Sequence, residues 1–416
     1  MAHSTATHVV LRPLVMVEDT DAWIVGRPDA GDFVALPGAA VTFLEALRRE
    51  SDVAVAEQCV LDAHAADIDS EDFIATLLEL GYIASIDGET QPDDARPASF
   101  PALRPPHVAW MFSPFSSVCV LLTGLAGALV ASSSAHLVPS YHAFFVTPLD
   151  GVNIALNTGM FLLVVAGHEM NHLAAARADG VHATIGLGTR LNMLAATTTV
   201  PGMWAAPRRA RFRVYLAGMR FDLTVFAALA LAQETVDANG LAYGLMESLR
   251  LAILVSLVTQ FALYMRTDMY FVAQELLRCR NLYGDAWAYL RHVFTPADVR
   301  AGRPDPTVLL PEREQAKVRV YAWFMLLGSG ATLASFALFG GPILVGLVGN
   351  AWESISAGSP VGVIDGLLVL LVEICLQGLF LVVFWRRHGA TVRRFLSRTV
   401  FRVRGARRPS AISSRG

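Results

Sequence analysis

His168, Glu169 and His172 form an H-E-x-x-H inside the apolar stretch Phe161–Arg177, FLLVVAGHEMNHLAAAR. On a helix, residues four apart sit one above the other, so two imidazoles at this spacing can share one metal ion. Zn²⁺ takes such nitrogen ligands, and a carboxylate beside them can accept the proton of a metal-polarised water. The chemistry this pattern implies is zinc-assisted hydrolysis of a peptide bond, with Glu169 as general base. Ionisable groups inside a membrane span are costly, so three together mark a functional site. A catalytic zinc usually takes three protein ligands and keeps one position for water. The metzincin pattern, with a third His six residues after His172, is excluded because Ala178 stands there. His182, in the loop after the helix, and Asp222, in a later apolar stretch, are both within consideration, Asp222 more naturally as a group that orients a ligand.

The elements that must position these residues are membrane helices. The 416 residues are 54% hydrophobic and only 17% charged, with a mean hydropathy of +0.46. That is richer in apolar residues than an ordinary soluble domain. Six stretches reach spanning length: about 108–132, 154–176, 214–233, 243–265, 318–338 and 361–385. The loops 133–153, 234–243 and 349–361 carry no Lys or Arg, whereas 177–213 carries six arginines and 374–416 carries ten with no acidic residue. This asymmetry predicts both termini in the cytosol, a basic cytosolic tail over 389–416, and a membrane domain over 107–388. The fourteen residues from Ile154 to His168 rise roughly 21 Å, which sets the metal about a third of the way in from the cytosolic face. Arg250 falls inside span four, where Glu247 three residues earlier is the expected partner. Asp365 and Glu373 in span six are expected to make hydrogen bonds within their own helix. The four cysteines are scattered, without a C-x-x-C, and suggest neither disulfides nor a cysteine zinc site. The N-terminus lacks a charged region followed by an apolar one, so no cleaved signal is expected.

Residues 1–86 read as a small α+β cytosolic domain. Short strands are expected at 9–17, 23–26 and 33–36, helices at 39–49, 53–66 and from Ser70 to Leu80, and a closing strand at 82–86. Strands, three helices and a wing suggest a winged helix. Nucleic acid is excluded as its partner: between Gly38 and Glu89 there are two arginines against twelve acidic residues, the reverse of a phosphate-binding surface. Residues 87–106, rich in Pro and Asp, read as a linker.

Two stretches of the front domain, FVALPGAAVTFLEAL (33–47) and DFIATLLELGYI (72–83), resemble the PqqD-like RiPP recognition element. That resemblance implies a domain that binds the leader of a ribosomal precursor peptide as an added strand. HEMNHLAAARADGV (168–181) and TTTVPGMWAAPRRARFRVYLAGMRFDL (197–223) resemble the peptide zinc metalloproteases of the site-two protease clan, intramembrane enzymes. The clan carries its third ligand in a pattern like N-P-x-x-R-x-D-G-Y-Y, which here falls on ALYMRTDMYF (262–271) and implies Asp268 as the third zinc ligand. The chain departs from the pattern at Ala262-Leu263, at Met269 and, in the earlier A-G-P motif, at Met219. Together the resemblances imply a mostly α, six-span intramembrane zinc endopeptidase of a bacterial inner membrane. It would hold Zn²⁺ on His168, His172 and Asp268, remove a leader peptide, and work beside modifying enzymes or an exporter. The alternatives are a regulatory protease of a membrane-anchored signalling protein and a non-catalytic peptide-binding accessory.

Overall fold

The structure is a computed structural model describing residues 8–405, except 20–21, 31–32, 66–67, 94–96, 135–136 and 297–303. The chain divides into two compact units: 1–133 with 166–186 and 198–231, and 134–165 with 187–197 and 232–416. Six helices among the described residues are long and apolar enough to cross a membrane.

The first unit begins with the front domain. Strands β1 (Val9–Leu11), β2 (Val15–Asp19), β3 (Ala22–Gly26) and β4 (Phe33–Leu36) precede helices α1 (Gly38–Glu50), α2 (Val53–His64) and α3 (Ser70–Glu79). Strands β5 (Ile83–Ile86) and β6 (Glu89–Thr90) follow. The run expected as one strand over 9–17 is two strands in different sheets, β1 beside β5 and β2 beside β3. Pro13 lies between them, with no N–H to give a ladder, so the sheet breaks there. Helix α3 is capped by Asp69, one residue before the expected start, its carboxylate accepting from Asp72 N. Asp87 and Gly88 both have positive φ (47° and 87°) and turn β5 into β6, as an Asp-Gly hairpin requires. Phe43, Leu44, Leu47, Leu77 and Tyr82 are fully buried in the core these elements share.

The stretch read as a linker is tied at both ends. Arg12 donates to the carbonyls of Gln91 and Pro92, and Arg12 and Arg27 both pair with Asp93. Further on, Ser99 N donates to the Ala183 carbonyl and Ser99 Oγ accepts from Ile185 N. A short helix α4 (Pro105–Val108) and a 3-10 turn precede the first span, α5 (Pro114–Ser133), which therefore starts six residues later than expected. Pro105, Pro106 and Pro114 place these breaks. Also in this unit are the C-terminal half of α6 (Asp150–Ala178), the start of β7 (Thr184–Arg190), the end of β8 (Met193–Thr199), and most of α7 (Arg208–Gln233). Leu173, Ala175 and Ala176 of α6 pack on Ala210, Val214 and Ala217 of α7. Small residues on both sides let the two backbones come close.

The second unit holds the N-terminal half of α6, then α8 (Leu241–Thr259), α9 (Asp268–Leu277) and α10 (Leu282–Val293). Span five differs from expectation. Helix α11 (Glu312–Ser335) passes through a π turn at Phe336–Gly340 into α12 (Gly341–Ser356), one 45-residue helical stretch where a loop was expected from 349. Gly340, Gly341 and Pro342 look like a stop, but a wider turn accommodates a proline that an α-helix interior would reject. Helix α13 (Pro360–Gly405) likewise continues beyond the expected end at Trp385, so the described part of the basic tail is helical; 406–416 lie outside the described residues. The Asp365 side chain reaches out of its own helix. Its Oδ1 accepts from Gly151 N (2.9 Å) and Val152 N (3.3 Å), capping α6. A spanning helix needs partners for its first N–H groups, and a carboxylate also suits the positive end of the dipole. Arg250 is 1% exposed and donates from Nη1 to Gln233 Oε1 at 2.6 Å.

Candidate metal centre

Helix α6 runs unbroken through the H-E-x-x-H, so the four-residue spacing acts as the sequence implies and stacks the two imidazoles, ring centroids 4.8 Å apart. His168 and His172 are each 4% exposed. Their orientation is fixed from α7. His172 Nδ1 lies 2.7 Å from the carbonyl oxygen of Val214, which can only accept, so this nitrogen carries the proton. His168 Nδ1 lies 2.8 Å from Oδ2 of Asp222, which is fully buried and plays the same part. Both rings therefore turn their Nε2 atoms toward each other, 3.1 Å apart.

Two lone pairs facing each other at that distance repel unless a proton or a cation lies between them. Two nitrogens of a tetrahedral metal site stand roughly 3.3 Å apart, given metal–nitrogen bonds of about 2.0–2.1 Å. The donor set thus fits a divalent metal ion. Asp222, weighed on sequence as a rival ligand, is the group that orients His168, an arrangement that fixes the tautomer and strengthens the ring as a donor. Asp268, the third ligand that the resemblance implies, is the first residue of α9 in the second unit, whereas both histidines lie in the first. His182 lines a cavity of about 780 Å³ in the first unit, with Pro13, Val15 and Pro28 of the front domain and Gly202 and Arg209.

Glu169 is 9% exposed, and its Oε2 accepts from the Thr198 hydroxyl at 2.7 Å. The same hydroxyl is 3.1 Å from the Glu169 carbonyl, so Thr198, near the end of β8, fixes both ends of this residue. Two glycines make room. A Cβ on Gly218 would fall 2.3 Å from His168 Nε2, and one on Gly167 would fall 2.5 Å from the Phe221 ring. Sequence reasoning missed Thr198, Gly218 and the Val214 carbonyl, none of which belongs to a spacing pattern. Gly218 alone carried a signal, standing in the A-G-M where the resemblance expects A-G-P.

No protein-family model, curated protein or solved structure matches the chain.

Proposed function

We propose that this protein is an intramembrane zinc endopeptidase that cuts a ribosomally made precursor peptide whose leader is held by residues 1–86. The observation that carries the reading is the pair of inward-turned Nε2 atoms, each set by an acceptor on its far nitrogen. His168, His172 and Asp268 would hold the ion. Bound Zn²⁺ supplies a water of lowered pKa and polarises the scissile carbonyl. Glu169, held by Thr198, takes the proton of that water and returns it to the leaving amine. Asp222 holds the His168 ring while charge shifts at the site. A peptide carbonyl in a helix is already hydrogen-bonded, so the substrate must present an extended segment. The front domain supplies such a segment if it captures the leader as a strand.

The test is metal analysis and processing together. Purified protein is expected to contain one equivalent of zinc and His172→Ala almost none. Glu169→Gln should retain zinc but lose cleavage of the precursor. Absence of zinc from the native protein, or undiminished cleavage by Glu169→Gln, overturns the reading.

A further inference from the structure

The segment between α8 and α9 breaks the helical chain. Helix α8 ends at Thr259, a 3-10 turn covers Leu263–Met265, Arg266 takes a left-handed conformation (φ 56°), and α9 starts at Asp268. A broken helix at membrane depth must find new partners for the backbone groups it releases. Gln260 and Thr267 satisfy two of them between their side chains. The Gln260 backbone carbonyl accepts from Thr267 Oγ1, and the Gln260 side-chain Oε1 accepts from the backbone N–H of Asp268 at 3.1 Å. Gln260 is 8% exposed and Thr267 3% exposed, so water offers these groups little alternative. Outside this staple, Tyr321 donates to the Leu263 carbonyl at 3.0 Å, and the Tyr264 ring packs where Gly328 has no Cβ.

We infer that Gln260 is a positioning residue for Asp268: by holding the first N–H of α9 it fixes the turn from which the Asp268 carboxylate reaches the metal. The inference rests on the metal-site reading above. The Asn-Pro and Gly expected around this Asp are Ala262-Leu263 and Met269, so local backbone chemistry does not define the turn. A left-handed Arg266 is unfavourable by itself and persists only where its surroundings impose it. The acceptor, rather than the bulk, of Gln260 is what the role requires.

Zinc alone is the probe. Chelator competition on the full-length protein in detergent reads affinity in four variants, and thermal unfolding of the metal-free forms reads folding. Gln260→Met keeps the volume and removes the acceptor; it should weaken zinc binding roughly 10- to 100-fold, the usual cost of losing a group that orients a ligand. Gln260→Glu keeps an acceptor and should bind within a few-fold of native. Thr267→Val cuts the other strap and should weaken binding by a smaller factor, which keeps the test open if Gln260→Met unfolds. His172→Ala is the reference for loss of a ligand. Native affinity in both Gln260→Met and Thr267→Val, with zinc lost from His172→Ala, overturns this inference and leaves the metal site standing. A Gln260→Glu as weak as Gln260→Met also overturns it, because packing would then be the cause. Native affinity in His172→Ala overturns the site itself and the inference with it.

Discussion

Helix α6 and the 260–268 turn each carry residues proposed as metal ligands, and they hold them by opposite means. In α6 the two histidines come from an uninterrupted helix, and their meeting follows from 3.6 residues per turn. At Asp268 the helix has just begun after a break, and its first N–H is held by the side chain of Gln260. A ligand on a regular helix is placed by local sequence. A ligand at a break is placed by whichever groups satisfy the freed backbone, and these announce themselves in no spacing.

The contrast fails first, and with the largest effect, at Gly218. If α6 places its ligands by regular geometry alone, small changes on α7 should be tolerated. The structure says otherwise, since a Cβ at 218 would overlap the Nε2 donor of His168 at 2.3 Å. Overpacking of this kind costs about 1–3 kcal/mol, which felt entirely at the metal is up to roughly 100-fold in affinity. Gly218→Ala is therefore expected to lose most of its zinc at limiting metal; full occupancy with native affinity would refute that geometry. Asp222→Asn comes next. It keeps an acceptor for His168 Nδ1 and removes the charge, so zinc affinity should fall about tenfold, measured by chelator competition. A change under twofold would mean that α6 needs no help in orienting its first ligand.

Thr198→Val probes the base instead of the ligands. Removing the hydroxyl 2.7 Å from Glu169 Oε2 should lower kcat about tenfold, with zinc content and KM unchanged, and Thr198→Ser should restore it. A parallel loss of zinc would show that β8 supports the ligands and not the base.

These residues also mark how far the sequence could be read. The six spans and the histidine pair follow from hydropathy and from one short spacing, both local properties. The strands of the front domain followed from β-type runs between turns, except where Pro13 split one of them. What stayed hidden was set by partners far along the chain. Asp365 looked like a residue bonding within its own helix, yet it caps α6 across more than two hundred residues of sequence. The long α11–α12 stretch was hidden differently: Gly-Gly-Pro signals a stop, and only a π turn lets the helix pass. Thr198 and Gln260 are common polar residues whose roles appear only when the acceptor or donor opposite is known.

The smallest expected effect lies in the front domain, where a carboxylate meets a nitrogen donor about as closely as Asp222 meets His168, but beside water. Arg27 Nη2 lies 2.7 Å from Asp29 Oδ2; the Arg27 side chain is 3% exposed, that of Asp29 43%. The hydrogen bond from Arg27 holds the Asp29 carboxyl below its ordinary value of 3.8, against the opposing cost of its burial. A depressed folded-state pKa adds stability that is fully present above the unfolded value and disappears as pH falls through the folded one. Native protein should therefore exceed Asp29→Asn in front-domain stability at pH 7 by less than about 1 kcal/mol, solvent screening having discounted the pair. The difference should shrink below about pH 4, where the unfolded carboxyl starts to take up its proton first. Hydrogen exchange of the front-domain amides in the full-length protein, at pH 3 and pH 7, reads both quantities. A difference that persists undiminished at pH 3 would mean that Asp29 acts through packing rather than charge. The contrast with the fully buried Asp222 would then rest on something other than solvent.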